Sequence, residues 1–223
     1  MGKPPAAVVG VDLAGPSNVA ETAVAWFTPV EDGLRLRGWR THATDATLLR
    51  VVEELVAETP PTSSVVIGLD APLSYNPGGG DRTPDEALRE RLQALGLPPG
   101  AVMSPTMTRM AYLTLRGVVV ARLLAQVLGD RVQLVEVHPG GAMALRGAPL
   151  PALHELKRSI VARGEVAAWL QSAGLAGLDE LIDPGHHLLA ACAAALAAAG
   201  WAAGSPAWLA PASPPHHPYD FAC

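Results

Sequence analysis

Apolar positions run unbroken through Val8-Val9-Gly10-Val11 and give way to an acid at Asp12, and the design recurs at Val65-Val66-Ile67-Gly68-Leu69 with Asp70. A third apolar run, Val132-Gln133-Leu134-Val135-Glu136-Val137, carries a glutamate. Each predicts a strand, and the continuous run before Asp70 predicts burial on both faces, as in a parallel pair. Burying an ionised carboxylate costs several kcal/mol unless it is paired or binds a metal, so acids in such places belong at a strand mouth, facing solvent or a ligand.

Between these runs, residues 21–29 read as a second strand and residues 33–42, with clean alternation of Leu and Arg, as a third. Glu31-Asp32-Gly33 supplies the hairpin chemistry between them. The first three strands are therefore antiparallel, and the third reads as an edge with one wet face. Thr44-Asp45 caps a helix in which Leu48, Leu49, Val52, Leu55 and Val56 recur at helical spacing until Pro60. As a right-handed crossover it lays the Asp70 strand beside the first. Residues 74–104 read as an excursion over the strand ends, with a polar helix around 84–95. A long helix over 106–128 leads to the Glu136 strand. Residues 140–151 read as a loop, 153–173 and 178–182 as helical, and 186–203 as a final helix after Pro184-Gly185. Residues 205–223 read as a Pro-rich tail without an element, in which His216-His217 is solvated.

The expected architecture is α/β: a mixed five-stranded sheet, three antiparallel strands then two parallel, with helices on both faces. A single domain spans 1–204 and the tail 205–223 follows it. Asp12, Asp70 and Glu136 then share the carboxyl edge, where such folds keep their sites.

Composition narrows this picture. An apolar share of 49% over 223 residues is ample for a core. A net charge of -5 gives no global footprint for long nucleic acid, so any such partner needs a local patch. Of the 16 basic residues only Lys3 and Lys157 are lysine. Arg82, Arg89, Arg109 and Arg116, on the excursion and the long helix, are candidates to line a phosphate groove. Two cysteines, Cys192 and Cys223, imply a reducing compartment rather than a structural disulfide. No secretory segment opens the chain, and the apolar stretch 188–203 is shorter than the ~20 residues of a membrane span. A cytoplasmic protein with no membrane partner is expected, and a homo-oligomer is compatible with it. Gly78-Gly79-Gly80 is not followed by the Lys-Ser/Thr of a phosphate loop, and Ser74 lies in a turn rather than a nucleophile elbow.

The segments around Asp12 (Val9-Gly10-Val11-Asp12-Leu13-Ala14-Gly15) and Asp70 (Ile67-Gly68-Leu69-Asp70-Ala71-Pro72-Leu73-Ser74) are two parts of a wider pattern. With Arg82-Thr83-Pro84-Asp85, Leu113-Thr114-Leu115-Arg116-Gly117 and Val135-Glu136-Val137-His138-Pro139-Gly140, they resemble the family called domain of unknown function 429. The resemblance runs from about residue 8 to about 199. It implies a ribonuclease H-like fold, in agreement with the strand order above, and a predicted nuclease. In that reading two magnesium or manganese ions are held by carboxylates, Asp12 bridging both and Asp70 and Glu136 completing the cage. Where the family's last helix carries an acid, this chain has Ala190; His187 or His186, one turn away on the same face, is the expected replacement ligand, which favours manganese. Glu53 and Glu54 are further donors. The expected function is thus metal-dependent hydrolysis of nucleic-acid phosphodiester bonds. The alternatives are a degenerate member that binds nucleic acid or a nucleotide without cutting, and an ATP-dependent phosphotransferase of the actin-like class.

Overall fold

A computed structural model describes residues 5–223. The elements are β1 (Ala7–Asp12), β2 (Ala23–Val30), β3 (Gly33–Thr41), α1 (Asp45–Glu58), β4 (Val65–Asp70), α2 (Thr83–Ala94), α3 (Thr108–Leu128) and β5 (Val132–Val137). There follow α4 (Pro139–Leu145), α5 (Leu150–Glu155), α6 (Ile160–Ser172), β6 (Leu175–Ala176), α7 (His186–Ala202), β7 (Leu209–Ala210) and β8 (Phe221–Ala222). The strands make one mixed sheet in the order β6-β3-β2-β1-β4-β5-β8-β7.

The antiparallel hairpins β1–β2 and β2–β3 and the parallel pairs β1–β4 and β4–β5 occupy the middle, as the alternation and the crossover helices require. The expected five strands are therefore present, but the sheet is wider by three. β6 pairs in parallel with the first half of β3, which is not an edge there. β8 pairs in parallel with β5, and β7 closes the other side as an antiparallel partner of β8. Residues 205–223 are therefore no solvated tail: Phe221, Ala222 and Cys223 are buried. Their insertion covers what would otherwise be an open strand edge of β5. Two-residue strands carry no readable period, so the chain's own pattern could not announce them.

The sheet separates two cores. One face is covered by α7, whose Leu188, Leu189 and alanines 191 and 193–195 pack on Val8, Ala25 and Val66. The other face is covered by α1 and α3, through Leu48, Val52, Val120 and Leu124 on Val9, Ile67 and Leu69. α7 is apolar all round because it is buried all round. Its backbone lies so close to the strands that a Cβ added at Gly10 or Gly68 would run into the carbonyls of Ala191 and Ala194. Glycine in a strand marks that kind of close backbone approach.

Two helical expectations are corrected. Residues 140–151 are not a loop, since α4 occupies most of them: Pro139 stands at its first turn, and the His138 side chain accepts a hydrogen bond from the Gly141 N–H. Its two glycines lower helix propensity in isolation, but with the alanines they let α4 pack against α7 and α2. The helix expected over 153–173 is broken, because Ser159 caps a new one by accepting from the Ala162 N–H. Residues 178–182 form only a short 3-10 turn, Leu178–Glu180. Among the described residues, one helix, Thr108–Arg131, is long and apolar enough by composition to cross a membrane, and α7 falls short of that length.

Candidate active site

Strand register decides which acids meet. Asp12 and Asp70 are Cα partners at the ends of β1 and β4. Partners in parallel strands point to the same face, and successive residues alternate. Both carboxylates therefore project on the α7 side, where the Nδ1 of His187, in the first turn of α7, lies 2.6 Å from Asp12 Oδ2. In β5 the partner of Leu69 is Glu136, so the glutamate belongs to the opposite face, with α1 and α3.

Glu136 is also fully engaged. Its Oε2 accepts from the Leu73 N–H at 2.8 Å and from Arg82 Nη1 at 2.9 Å, and its Oε1 accepts from Arg82 Nη2 at 2.5 Å. Arg82 caps α2 and spends its remaining N–H groups on Asp85 Oδ1 and Oδ2, at 2.7 and 2.9 Å, and on Ser74 Oγ at 2.9 Å. The three charged residues are 4%, 2% and 4% exposed for Arg82, Asp85 and Glu136. Two buried carboxylates share one cation, and burial lifts the Glu136 carboxyl above its ordinary range although Arg82 opposes it. The aromatic ring of Phe221, from the C-terminal strand, lies 5.5 Å from the Arg82 guanidinium carbon.

Among the described residues no arginine or lysine pairs with Asp12 or Asp70, and Asp12 is met by His187 instead. Burial first, then the charge of Asp12 and a hydrogen bond with it, push the Asp70 carboxyl well above the usual carboxylate range. Glu136 adds to this, and the charge of Lys157 works against it. The hydrogen bond to Asp12 raises the His187 imidazole above its ordinary value. His186, whose ring centroid is 3.9 Å from that of His187, is pushed down by burial and by His187.

A cleft of about 320 Å³ opens over the carboxyl ends of β1, β4 and β5, and Asp12, Asp70, Met103, Met110, Lys157 and Phe221 are among its walls. A larger one of about 450 Å³ lies at the opposite end of the strands, beside Ala7, and holds Arg37, Glu54 and Glu58. The first is the better candidate, because the raised Asp70 carboxyl faces it beside Asp12 and open α/β sheets bind at their carboxyl ends.

The arginines expected to form a phosphate groove do not form one together. Arg82 is consumed as above. Arg89 grips Asp81 with both Nη atoms, at 2.8 and 2.7 Å. Arg116 is buried between Asp45, the Ala14 carbonyl and Thr22, where it ties α1 and the loop after β1 to α3. Arg109 alone of the four is exposed. Glu53 and Glu54 are exposed on α1, and Glu54 lines the far cleft. His138 is neutral and structural: its Nδ1 accepts from Gly141, so its Nε2–H donates to the Ala101 carbonyl at 2.8 Å. His217 is not solvated; its Nδ1 lies 2.8 Å from Ser74 Oγ, while His216 is exposed. Burial pushes both free thiols, Cys192 and Cys223, up to about 12.

Asp85 and Glu136 also line the cleft, but Arg82 and the Leu73 amide occupy their oxygens, which leaves Asp12 and Asp70 to offer oxygens to a hard cation there. Among the described residues no three His, Cys, Asp or Glu side chains gather as a ready metal cage. Sequence reasoning missed Lys157 and Phe221 as walls of this cleft. The rarity of lysine in an arginine-rich chain was a usable signal for the first, and nothing in the pattern marked the second.

No curated protein and no solved structure matches the chain. The sequence model of one family does match, over residues 10–216, and its description is "Protein of unknown function (DUF429)". With so much of its length matched, the chain belongs to the DUF429 family.

Proposed function

We propose that the protein is a metal-dependent hydrolase of nucleic-acid phosphodiester bonds, built on a ribonuclease H-like sheet and working with one divalent cation, magnesium or manganese. The observation that carries the reading is the register pairing of Asp12 with Asp70. It sets two half-buried carboxyls side by side in a cleft, where burial first and then repulsion from Asp12 raise Asp70. A hard cation relieves that repulsion and takes oxygen ligands. The central strand order β3-β2-β1-β4-β5 supports the fold half of the reading.

The residues fit one ion, not two. Two cations about 4 Å apart need shared carboxylates around both, and Glu136 has both oxygens committed to Arg82 and Leu73. Through Nδ1, His187 orients the Asp12 carboxylate, and its Nε2 is left as the nitrogen that a softer cation such as manganese would take. Bound at Asp12 and Asp70, such a cation supplies charge stabilisation at the phosphoryl oxygens. The chain's own part is to hold the two carboxyls in register, to lock the Asp12 rotamer through His187, and to line the cleft with apolar walls that limit water.

The committed state of Glu136 and the alanine at position 190 favour a second reading, in which the same cleft binds nucleic acid without cutting it. One experiment separates the two. Manganese binding followed by electron paramagnetic resonance, with cleavage of a single-stranded oligonucleotide in the same buffer, is expected to show one ion and slow turnover. Asp12→Asn should abolish both while the circular dichroism spectrum is kept. Manganese binding without any cleavage selects the binding protein, and no manganese bound at millimolar concentration overturns the proposal.

A further inference from the structure

The cleft in front of Asp12 and Asp70 has two unlike walls. One is apolar and is made by Met103, Met110 and Leu113, from the excursion and the first turns of α3. The other presents Lys157, from the turn between α5 and α6. Of the two cations that line the cleft, Arg82 is consumed by Asp85 and Glu136, whereas Lys157 is exposed and, among the described residues, enters no ion pair. Its charge reaches Asp70, His186 and His187. A cation held open beside an acidic pair gives an anion a place to land that the pair alone would repel.

Size and wall chemistry restrict that anion. At about 320 Å³ the cleft is at the low end of the roughly 300–1,000 Å³ of small-molecule sites, which is room for one nucleotide unit and not for a duplex. A base inside a duplex is stacked on both faces and shows only its edges; an unpaired base can lay its face on an apolar wall. Methionine suits that wall, because its thioether is polarisable and adapts to flat rings.

We propose that this cleft is a subsite for one unpaired nucleotide of a single-stranded nucleic acid, with the base against Met103, Met110 and Leu113 and the phosphate on Lys157. The inference rests on the phosphodiester reading of the same site and adds the strandedness and the anion contact to it.

The test is equilibrium binding of a fluorescein-labelled, phosphorothioate-linked oligonucleotide of about 20 mixed-sequence nucleotides, single-stranded or annealed to its complement, by anisotropy in manganese buffer. The single strand is expected to bind at least ~10-fold more tightly than the duplex, because the duplex cannot offer a free base face. Lys157→Met should weaken it by about 10-fold, the loss of one contact to a charged group. Met103→Glu should do the same by facing the base with a charge. Both sites are exposed, so both variants should keep their fold. Wild-type affinity in Lys157→Met, or equal affinity for the duplex, overturns the subsite. If manganese does not bind but single-strand binding still depends on Lys157, the subsite stands and the hydrolase reading falls. If Asp12-dependent cleavage occurs and Lys157→Met binds as wild type, the reverse holds.

Discussion

Glu136 is the Cα partner of Leu69, one residue short of Asp70, and that single step of register turns its carboxylate to the other face of the sheet from the Asp12–Asp70 pair. The three acids that the chain delivers to one edge all line one cleft, but they differ in what they meet there. Asp12 and Asp70 repel each other at the mouth of a cleft. Glu136 joins Arg82, Asp85, Ser74 and the Leu73 amide in a buried network that fixes the excursion after β4 to the strand ends.

The burial of Asp70 and its repulsion from Asp12 should be visible in stability. Asp70 is raised in the folded state, so its favourable contribution is complete below the ordinary carboxylate value of 3.8 and is lost as pH climbs through the elevated folded value. Asp70→Asn removes the titration and keeps a hydrogen-bonding group beside Asp12. Without added metal the variant should melt higher than wild type at pH 7.5, by roughly 2–4 °C for each kcal/mol relieved. The gap should narrow steadily as the pH is lowered toward 4.5. Differential scanning calorimetry over that range checks it; a variant that melts lower at pH 7.5 would mean that the pair is not under strain.

Arg82 is expected to be the most sensitive polar position. Arg82→Met strands Glu136 and Asp85 as buried, uncompensated carboxylates and should cost about 3–5 kcal/mol in urea unfolding. Adding Glu136→Gln to it should recover part of that loss, whereas two independent sites would show additive costs. A cost below about 1 kcal/mol for Arg82→Met would show that the network does not hold the excursion.

Phe221 tests the C-terminal strand. Its ring stacks edge-on with Trp208 at 5.2 Å between centroids, faces Arg82, and is 6% exposed. Phe221→Ala should cost about 3–5 kcal/mol, as for other buried aromatics. Because the Glu136 N–H donates to the Asp220 carbonyl at 2.9 Å, its amide should also exchange much faster with deuterium in the variant. Unchanged protection of that amide would place the strand outside the cooperative core.

Much of this protein is legible in its residues. Unbroken apolar runs mark β1, β4 and β5, Glu31-Asp32-Gly33 marks the β2–β3 turn, and Thr44 marks the start of α1, because periodicity, turn chemistry and capping act within a few residues of chain. The pairing of Asp12 with Asp70 follows from the same signals together with the handedness of the crossover. What the chain could not disclose depends on partners far away in sequence. Glu136 looked like a third ligand because register is a property of two strands together, and a shift of one residue reverses every side chain's face. Arg82 and Arg116 looked like phosphate binders, but a buried guanidinium must satisfy its donors, and here Glu136, Asp45 and the backbone supply the acceptors. The last residues looked like a tail because two-residue strands have no period, and only the open side of β5 gives Phe221 and Ala222 a place to pair.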